Sequence, residues 1–261
     1  MNVRISFRGL FSTVTGSAEE LNRIQNTLRS WARQFEPRRG GGPVAAQGPD
    51  AGTLHVLTGV LLAACGYDRK MPDVEVGALG TLLRDYQLEA VQAAMQAPYW
   101  RSIIKAPGGS GKTHIAAGII SCGASIGLGS WLYLVTNKEL ASQTARVFDR
   151  VMPEMLEQLG APDVEVICTS YGTLPPLAAR GVRGVLVDEC HGIAARTRMR
   201  ALAQAENAVF RCGLSATPLK RQDIFNSTVV GLLGPVVYQV DPERLIAAGH
   251  LAKGNYHLVC L

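Results

Sequence analysis

The sequence predicts an α/β protein with a mostly parallel sheet, preceded by a small α+β module. Three observations carry that reading. From about residue 81 onward, short apolar runs alternate with stretches whose apolar residues recur at helical spacing, the pattern of parallel strands joined by crossover helices. One junction within Ser102–Ile120 is a tight Pro-Gly-Gly-Ser-Gly turn between an apolar run and a helical one. Residues 1–80 instead open on period-two alternation in Asn2–Arg8, followed by one amphipathic helix. The expected units are therefore 1–80 and 81–261.

In the first unit Phe11–Val14 reads as the hairpin partner of Asn2–Arg8. Ser17-Ala-Glu-Glu20 is a capping box, in which serine and glutamate satisfy each other's backbone N–H groups. Leu21, Ile24, Leu28, Trp31 and Phe35 then share one helical face, which makes Trp31 a core residue. Five glycines and three prolines make Pro37–Thr53 a long loop. Thr53–Cys65 reads as strand then helix, although periodicity alone does not decide. In the second unit Asp85 is a candidate helix cap with Leu88, Val91 and Met95 inward. Trp131–Val135, Val164–Cys168, Gly184–Val187 and Val209–Leu214 read as buried strands, and Asn137 as the cap of a long helix.

Composition narrows the setting. Of 261 residues, 47% are hydrophobic and 18% charged, enough apolar content for a packed core and too little charge for a disordered chain. A net charge of +5 permits a polyanionic partner. The six cysteines form no C-x-x-C pair, which favours reduced core thiols and a cytoplasmic setting. The amino terminus lacks the apolar core of a signal peptide, and the longest apolar run, near Val56–Cys65, is too short to span a bilayer. No membrane partner is expected.

The motif with the clearest chemistry is Ala106-Pro-Gly-Gly-Ser-Gly-Lys-Thr113, a phosphate-binding loop with Ala106 where the usual pattern has its first glycine. Pro107, Gly108, Gly109, Ser110 and Gly111 let successive N–H groups curl into an anion-binding nest, and the following helix adds its positive end. Lys112 supplies a point charge for β- and γ-phosphates, and the Thr113 hydroxyl a ligand for Mg²⁺. The second motif is Gly184-Val-Leu-Val-Asp-Glu-Cys-His191. An apolar strand ending in two acids places both carboxylates at the sheet's carboxyl edge, where such folds bind ligands. Asp188 suits Mg²⁺, partly through water, and Glu189 suits orientation of an attacking water. A surface acid pair or a different metal site are the alternatives.

These motifs, with four others in order, resemble the first RecA-like domain of a superfamily 2 helicase of the DExH type, nearest in look to the phage UvsW and XPB-like branch. Leu83-Arg-Asp-Tyr-Gln87 resembles the adenine-reading glutamine motif. Leu134-Val-Thr-Asn-Lys-Glu-Leu140 resembles motif Ia, Thr169-Ser-Tyr-Gly-Thr-Leu174 motif Ib, and Gly213-Leu-Ser-Ala-Thr-Pro218 motif III. The match covers residues 81–258 and is weak over 1–80. It implies a RecA-like P-loop domain that uses ATP and Mg²⁺ on DNA, with RNA not excluded. By the same resemblance Gln87 reads adenine, the alternative being an exposed helix glutamine. His191, Ser215 and Thr217 couple the ATP site to the nucleic acid, unless the last two are merely turn residues. Thr136, Asn137, Lys138, Thr169 and Ser170 track phosphates of one strand, contacts that carry no base information. Tyr171 is either a stacking platform or a buried tyrosine. Arg196, Arg198 and Arg200 form either a solvated face or a duplex contact, and Arg38 and Arg39 make the small module a candidate for further contact.

Motors of this kind close two RecA-like domains around ATP, the second supplying arginine fingers. No motif of that second domain follows Thr217. The expectation is a second RecA-like domain in cis beyond residue 261 or in trans, since neither Arg211 nor Arg221 has a family reason to substitute. A duplex-DNA translocase of a restriction or remodelling enzyme and a non-catalytic ATP switch or scaffold are the competing readings.

Overall fold

The computed structural model describes residues 4–8, 11–33, 45–47, 53–58, 60–61, 72–174, 181–219 and 225–253. Strands β1 (Arg4–Arg8) and β2 (Phe11–Thr15) form the expected hairpin, with Ile5 opposite Val14. Helix α1 (Ala18–Arg33) follows. Its capping box is formed: the Ser17 and Glu20 backbone N–H groups donate to Glu20 Oε2 and Ser17 Oγ at 3.1 and 3.3 Å. Phe35 lies outside the described residues. The glycine-rich stretch is not loop throughout. Within it β3 (Ala45–Gln47) pairs antiparallel with β4 (Thr53–Leu57), giving a four-stranded antiparallel sheet ordered β1-β2-β4-β3. Thr58, Val60 and Leu61 then take helical backbone.

The second sheet begins after α2 (Asp85–Met95). Asp85 is this helix's first residue and not its cap. Arg84 is the cap, and its N–H donates to Gln87 Oε1 at 3.1 Å. Then come β5 (Arg101–Lys105), α3 (Lys112–Ser125), β6 (Ser130–Val135), α4 (Lys138–Gln158), β7 (Glu165–Ser170), β8 (Gly184–Asp188), α5 (Arg196–Ala203), β9 (Phe210–Ser215), α6 (Asn226–Leu233), β10 (Val236–Gln239) and α7 (Pro242–Ala247). The strands form a fully parallel six-stranded sheet ordered β10-β5-β9-β8-β6-β7. Strand β7 is an edge strand and only half-buried until its last two residues, so the expectation of a buried strand there fails. Its apolar residues Val166 and Cys168 meet one helix face, with no neighbour strand beyond.

Both faces of the parallel sheet are covered. Val91 of α2, Ile115 and Ile119 of α3 and Phe148 and Met152 of α4 pack on one side against Ile104, Tyr133 and Leu186. On the other side Leu202 of α5 and Leu233 of α6 join Ile103, Leu132, Leu134 and Val185. The same cluster takes in Val14, Leu28, Val56 and Leu61, so the amino-terminal elements share one core with the large sheet. Trp31 is partly buried against it, on the core face as expected.

Two arginines sit at the amino ends of neighbouring strands, Arg101 of β5 opposite Arg211 of β9. Both are buried, held by Arg101 Nη1 donating to Leu232 O at 2.9 Å and Arg211 Nη2 to Ala205 O at 2.8 Å. Desolvation pushes the Arg101 pKa down to about 10 and lowers that of Arg211 as well. The described cysteines 122, 168, 190 and 212 are free thiols.

Trp131 fixes the spacing between α3 and β8. Its indole is fully buried and donates from Nε1 to Leu128 O at 2.7 Å. A Cβ on Gly123 would lie 2.1 Å from the ring, and one on Gly184 2.3 Å from it. Neither site has room for a methyl group. Gly123→Ala and Gly184→Ala are each expected to destabilise the fold by about 1–3 kcal/mol through overpacking. Urea denaturation is the measurement, and a midpoint unchanged in both variants contradicts this account of the core.

Candidate active site

Parallel strands bring every chemically suggestive segment to one edge of the sheet. The sequence-distant turns after β5, β9, β8, β6 and β7 become neighbours in that order. The phosphate loop follows β5 and is tied to β9 by Ala106 N donating to Ser215 O at 3.0 Å. Gly109 and Gly111 have φ of 77° and 76°, the left-handed region that glycine enters without a Cβ penalty. Gly111 also lacks space, since a Cβ there would sit 2.4 Å from Gln87 Nε2. Gly111 caps α3, so the N–H groups of Lys112 and Thr113 belong to the first helical turn, where backbone donors lack intrahelical partners. No side chain crowds Gly108. The loop is therefore a concave set of backbone donors with one mobile cation, a fit for phosphate.

Helix α2 braces this loop from outside. Tyr86 Oη and Gln87 Nε2 donate to the Ser110 carbonyl at 2.9 and 3.1 Å, and Ser110 Oγ donates to Pro107 O at 2.7 Å. Gln87 is buried, with its carbonyl oxygen accepting from Arg84 N. The sequence assigned no role to Tyr86, although it stands in the glutamine motif. Its position beside Gln87 in the first turn of α2 was the available signal.

Across the loop, Asp188 ends β8 and Glu189 starts the turn beyond it. Lys112 Nζ lies 3.4 Å from Glu189 Oε1. Ser215 Oγ donates to Glu189 Oε2 at 3.2 Å and accepts from Thr217 N at 3.2 Å. His191 Nδ1 is 3.2 Å from the same hydroxyl and 3.4 Å from Glu189 Oε2. A hydroxyl has one proton. With that proton on Glu189, Nδ1 of His191 must be the donor to Ser215. Thus Lys112, Glu189, His191, Ser215 and the Thr217 backbone form one connected group; the Thr217 side chain is exposed.

Thr136, Asn137 and Lys138 are exposed at the end of β6, and Asn137 Oδ1 caps α4 by accepting from Leu140 N at 2.8 Å. Thr169 and Ser170 stand beside them on β7, with Leu134 opposite Thr169 and Val135 opposite Ser170. Both are buried, and their hydroxyls meet Thr173 Oγ1 at 3.1 and 2.8 Å. Thr173, part of the motif Ib stretch but given no role by the sequence, is the centre of this hydroxyl cluster. Tyr171 carries Arg198 over its ring face, 5.0 Å from the centroid. Of the three arginines on α5, Arg196 and Arg200 are exposed, while Arg198 turns inward.

No group of three or more His, Cys, Asp or Glu among the described residues could hold a metal alone. Asp188 and the Thr113 hydroxyl would hold Mg²⁺ only together with nucleotide oxygens and water, the usual arrangement for that ion. Burial raises the Asp188 pKa, with Glu189 adding repulsion, against the Glu189 N–H (3.0 Å to Oδ1) and Lys112. A raised folded-state pKa gives stability that is greatest below the unfolded value and is lost as pH rises through the folded one. Asp188→Asn is thus expected to raise the melting temperature of nucleotide-free protein at pH 7, by a margin that shrinks towards the ordinary carboxylate range. Thermal melts of both proteins at pH 7 and pH 5 check this; a lower melting temperature for the variant at pH 7 contradicts it.

Fold and edge together define a phosphate-loop protein of RecA-like form. Residues 81–172 match the model of the family described as Type III restriction enzyme, res subunit. A comparison with curated proteins finds no match. Among solved structures, the UvsW helicase of bacteriophage T4 is similar over 91% of this chain and 100% of its own, with 16% identity and a TM-score of 0.62. A second structure of T4 UvsW matches over 91% of this chain with 16% identity and a TM-score of 0.58. This chain spans 57% of that longer protein. Over residues 81–172 the chain is similar to the restriction-subunit family, and its fold is that of the RecA-like domain in the T4 UvsW structures. Among the described residues no helix is long and apolar enough to cross a membrane.

Proposed function

We propose that this chain is the ATP-binding motor domain of a DNA helicase or translocase, which tracks the phosphate backbone and works with a second RecA-like domain. One observation carries the reading. Lys112 of the phosphate loop faces Glu189 at 3.4 Å, and Glu189 is joined through Ser215 and His191 to the neighbouring strand end. That arrangement puts a cation for phosphate, a carboxylate for water and a hydrogen-bonded link towards the rest of the edge in one place. Bound MgATP supplies the transferable phosphoryl group and the metal's charge. Gly108, Gly109 and Gly111 would hold phosphate with backbone N–H groups, while Ser110, whose N–H donates to Pro107 O at 3.3 Å, shapes that nest. Thr113 and Asp188 would hold Mg²⁺, and Glu189 would orient and deprotonate the attacking water. Gln87 keeps one amide proton and one carbonyl lone pair beyond those it already uses. Such a pair complements the N6 donor and N7 acceptor of adenine.

Thr136, Asn137 and Lys138 present an exposed polar strip on the same edge for a strand's phosphates. Thr169 and Ser170 contribute by backbone or by release of their hydroxyls from Thr173. Resemblance to a restriction-enzyme subunit over residues 81–172 supports the second reading, translocation along duplex DNA without strand separation. Strand-displacement and triplex-displacement assays on the two-domain motor distinguish the two, and RNA competition tests the sugar. Residues 1–80 are proposed as an accessory module; Arg38 and Arg39 lie outside the described residues.

The second RecA-like domain is the proposed source of a stabilising arginine. Arg211 is buried at the opposite end of β9, about 13 Å from Ser215 at roughly 3.3 Å per residue, and Arg221 lies outside the described residues. In related enzymes such an arginine contributes about 10³–10⁵ in rate. The 261-residue chain is therefore expected to bind MgATP and hydrolyse it slowly, with turnover restored by a second RecA-like domain fused or in trans. Lys112→Ala should weaken MgATP binding or abolish turnover, and Glu189→Gln should spare binding but remove restored turnover. Calorimetry and steady-state phosphate release are the measurements. Unchanged ATP affinity and turnover in Lys112→Ala, or robust DNA-stimulated turnover by the chain alone, contradicts the reading.

A further inference from the structure

Arg198 occupies a position that the ATP site and the phosphate strip leave unexplained. Its guanidinium lies over the Tyr171 ring, 5.0 Å from the centroid. It also presses on Gly192 so closely that a Cβ there would be 2.0 Å from Nη1. Tyr171 follows Thr169 and Ser170 directly, in the turn closed by Thr173 N donating to Ser170 O at 3.0 Å. Its hydroxyl is buried without a hydrogen-bond partner, so packing under Arg198 and not polar bonding fixes the side chain. Gly192 ends the short 3₁₀ turn Cys190–Gly192, directly after His191 and three residues after Glu189. One planar side chain therefore bridges the candidate nucleic-acid turn and the turn that aims Glu189. This route does not pass through Ser215 or Thr217.

We propose that Arg198 is a positioning residue that couples occupancy of the nucleic-acid edge to the setting of Glu189, an inference that rests on the motor reading above. When phosphates recruit the hydroxyls around Thr173, the turn carrying Tyr171 shifts. Arg198, over that ring and in contact with Gly192, transmits the shift to His191 and Glu189, and through the Glu189 ion pair to Lys112, whose freedom to meet phosphate sets nucleotide affinity. The bridge requires a cation broad enough to lie over the ring and reach Gly192 at once; lysine keeps the charge and can meet the ring but has no Nη1 to touch Gly192. The bridge also requires glycine at 192, because a methyl group there takes the space of the guanidinium.

The test measures affinity for a fluorescent ATP analogue with Mg²⁺, with and without saturating oligo(dT), on the full 261-residue chain. The expected wild-type ratio of the two affinities is at least about fivefold, the lower end of ordinary coupling between sites. Arg198→Lys and Gly192→Ala attack the contact from opposite sides. Each is expected to bring the ratio close to one while leaving the separate affinities for nucleotide and oligo(dT) near wild type, and the double variant is expected to do no more than either alone. A ratio that survives in both single variants overturns the proposal, even if their melting temperatures fall, since lost packing alone lowers stability and leaves coupling intact. Wild-type protein that binds both ligands without coupling also overturns it, while leaving the motor reading standing. Failure of the wild type to bind MgATP removes the motor reading and this inference together.

Discussion

Glu189 holds a left-handed backbone conformation, φ 47° and ψ 51°, and the rest of the site depends on it. For a residue with a Cβ this costs about 1–2 kcal/mol. The return is directional. An extended continuation of β8 would send successive side chains to opposite faces of the sheet. The left-handed turn instead lets Asp188 accept the Glu189 N–H while the Glu189 carboxylate reaches Lys112, Ser215 and His191. The turn then closes with Ile193 N donating to Cys190 O at 3.0 Å. Strain persists only where surroundings over-determine it. Here they do: Cys190 is fully buried against β9, where a Cβ on Gly213 would come within 2.8 Å of its sulfur.

The same sheet explains why stability and function separate along the strands. Their carboxyl ends carry the acids, hydroxyls and loop donors, and the adjacency of β8 to β9 and of β6 to β7 sets which groups meet. The middles of the central strands β6 and β8 are continuously apolar, as parallel strands covered on both faces must be. At the amino ends Arg101 and Arg211 are buried side by side, without a carboxylate partner among the described residues. Such a pair lowers stability, and its carbonyl partners, Leu232 and Ala205, offset only part of the desolvation. One face of this sheet is completed by Leu28, Val56 and Leu61 from the first sixty-one residues, so the small module is part of the packing that holds the edge in place.

Much of this was legible in the chain because the relevant signals are local. Alternating strands and helices gave the parallel sheet, and Gly-Lys-Thr after an apolar run gave the loop. The carboxylates of β8 and the hydroxyl of Ser215 were legible as strand-end residues, though not the hydrogen bond between them, which depends on strand order. What the sequence could not supply was competition between partners. Gln87 and not Asp85 shapes the start of α2, because its side chain satisfies the cap N–H and the Ser110 carbonyl together. Thr169 and Ser170 sit at the expected strand end, yet their hydroxyls turn inward to Thr173. The periodicity of Val164–Cys168 reads equally well for a central and an edge strand, and only topology separates the two.

The phosphate loop is held from more sides than its glycines alone suggest. Helix α2 grips the Ser110 carbonyl through Tyr86 and Gln87, while Leu251, beyond α7, approaches Gly109 so closely that a Cβ there would be 3.1 Å from Cδ1. Helices α2 and α7 are themselves joined, since Arg244 makes a bidentate pair with Glu89 at 2.8 and 2.9 Å and Tyr238 Oη donates to the same carboxylate. The Arg244 hydrogen bonds, followed by that of Tyr238, lower the Glu89 pKa to about 2, so the pair stays charged at any ordinary pH. Loop, α2 and the α7 segment are therefore tied to one another on the sheet. Among the described residues nothing comparable ties Lys112 in place. Its ion pair with Glu189 joins a flexible side chain to a residue on a separate turn. On the motor reading, a γ-phosphate arriving at Lys112 would displace Glu189 from that pair, and the rearrangement would fall on the turn that also carries His191 and Gly192. On that reading the preformed half of the site binds and the strained half responds.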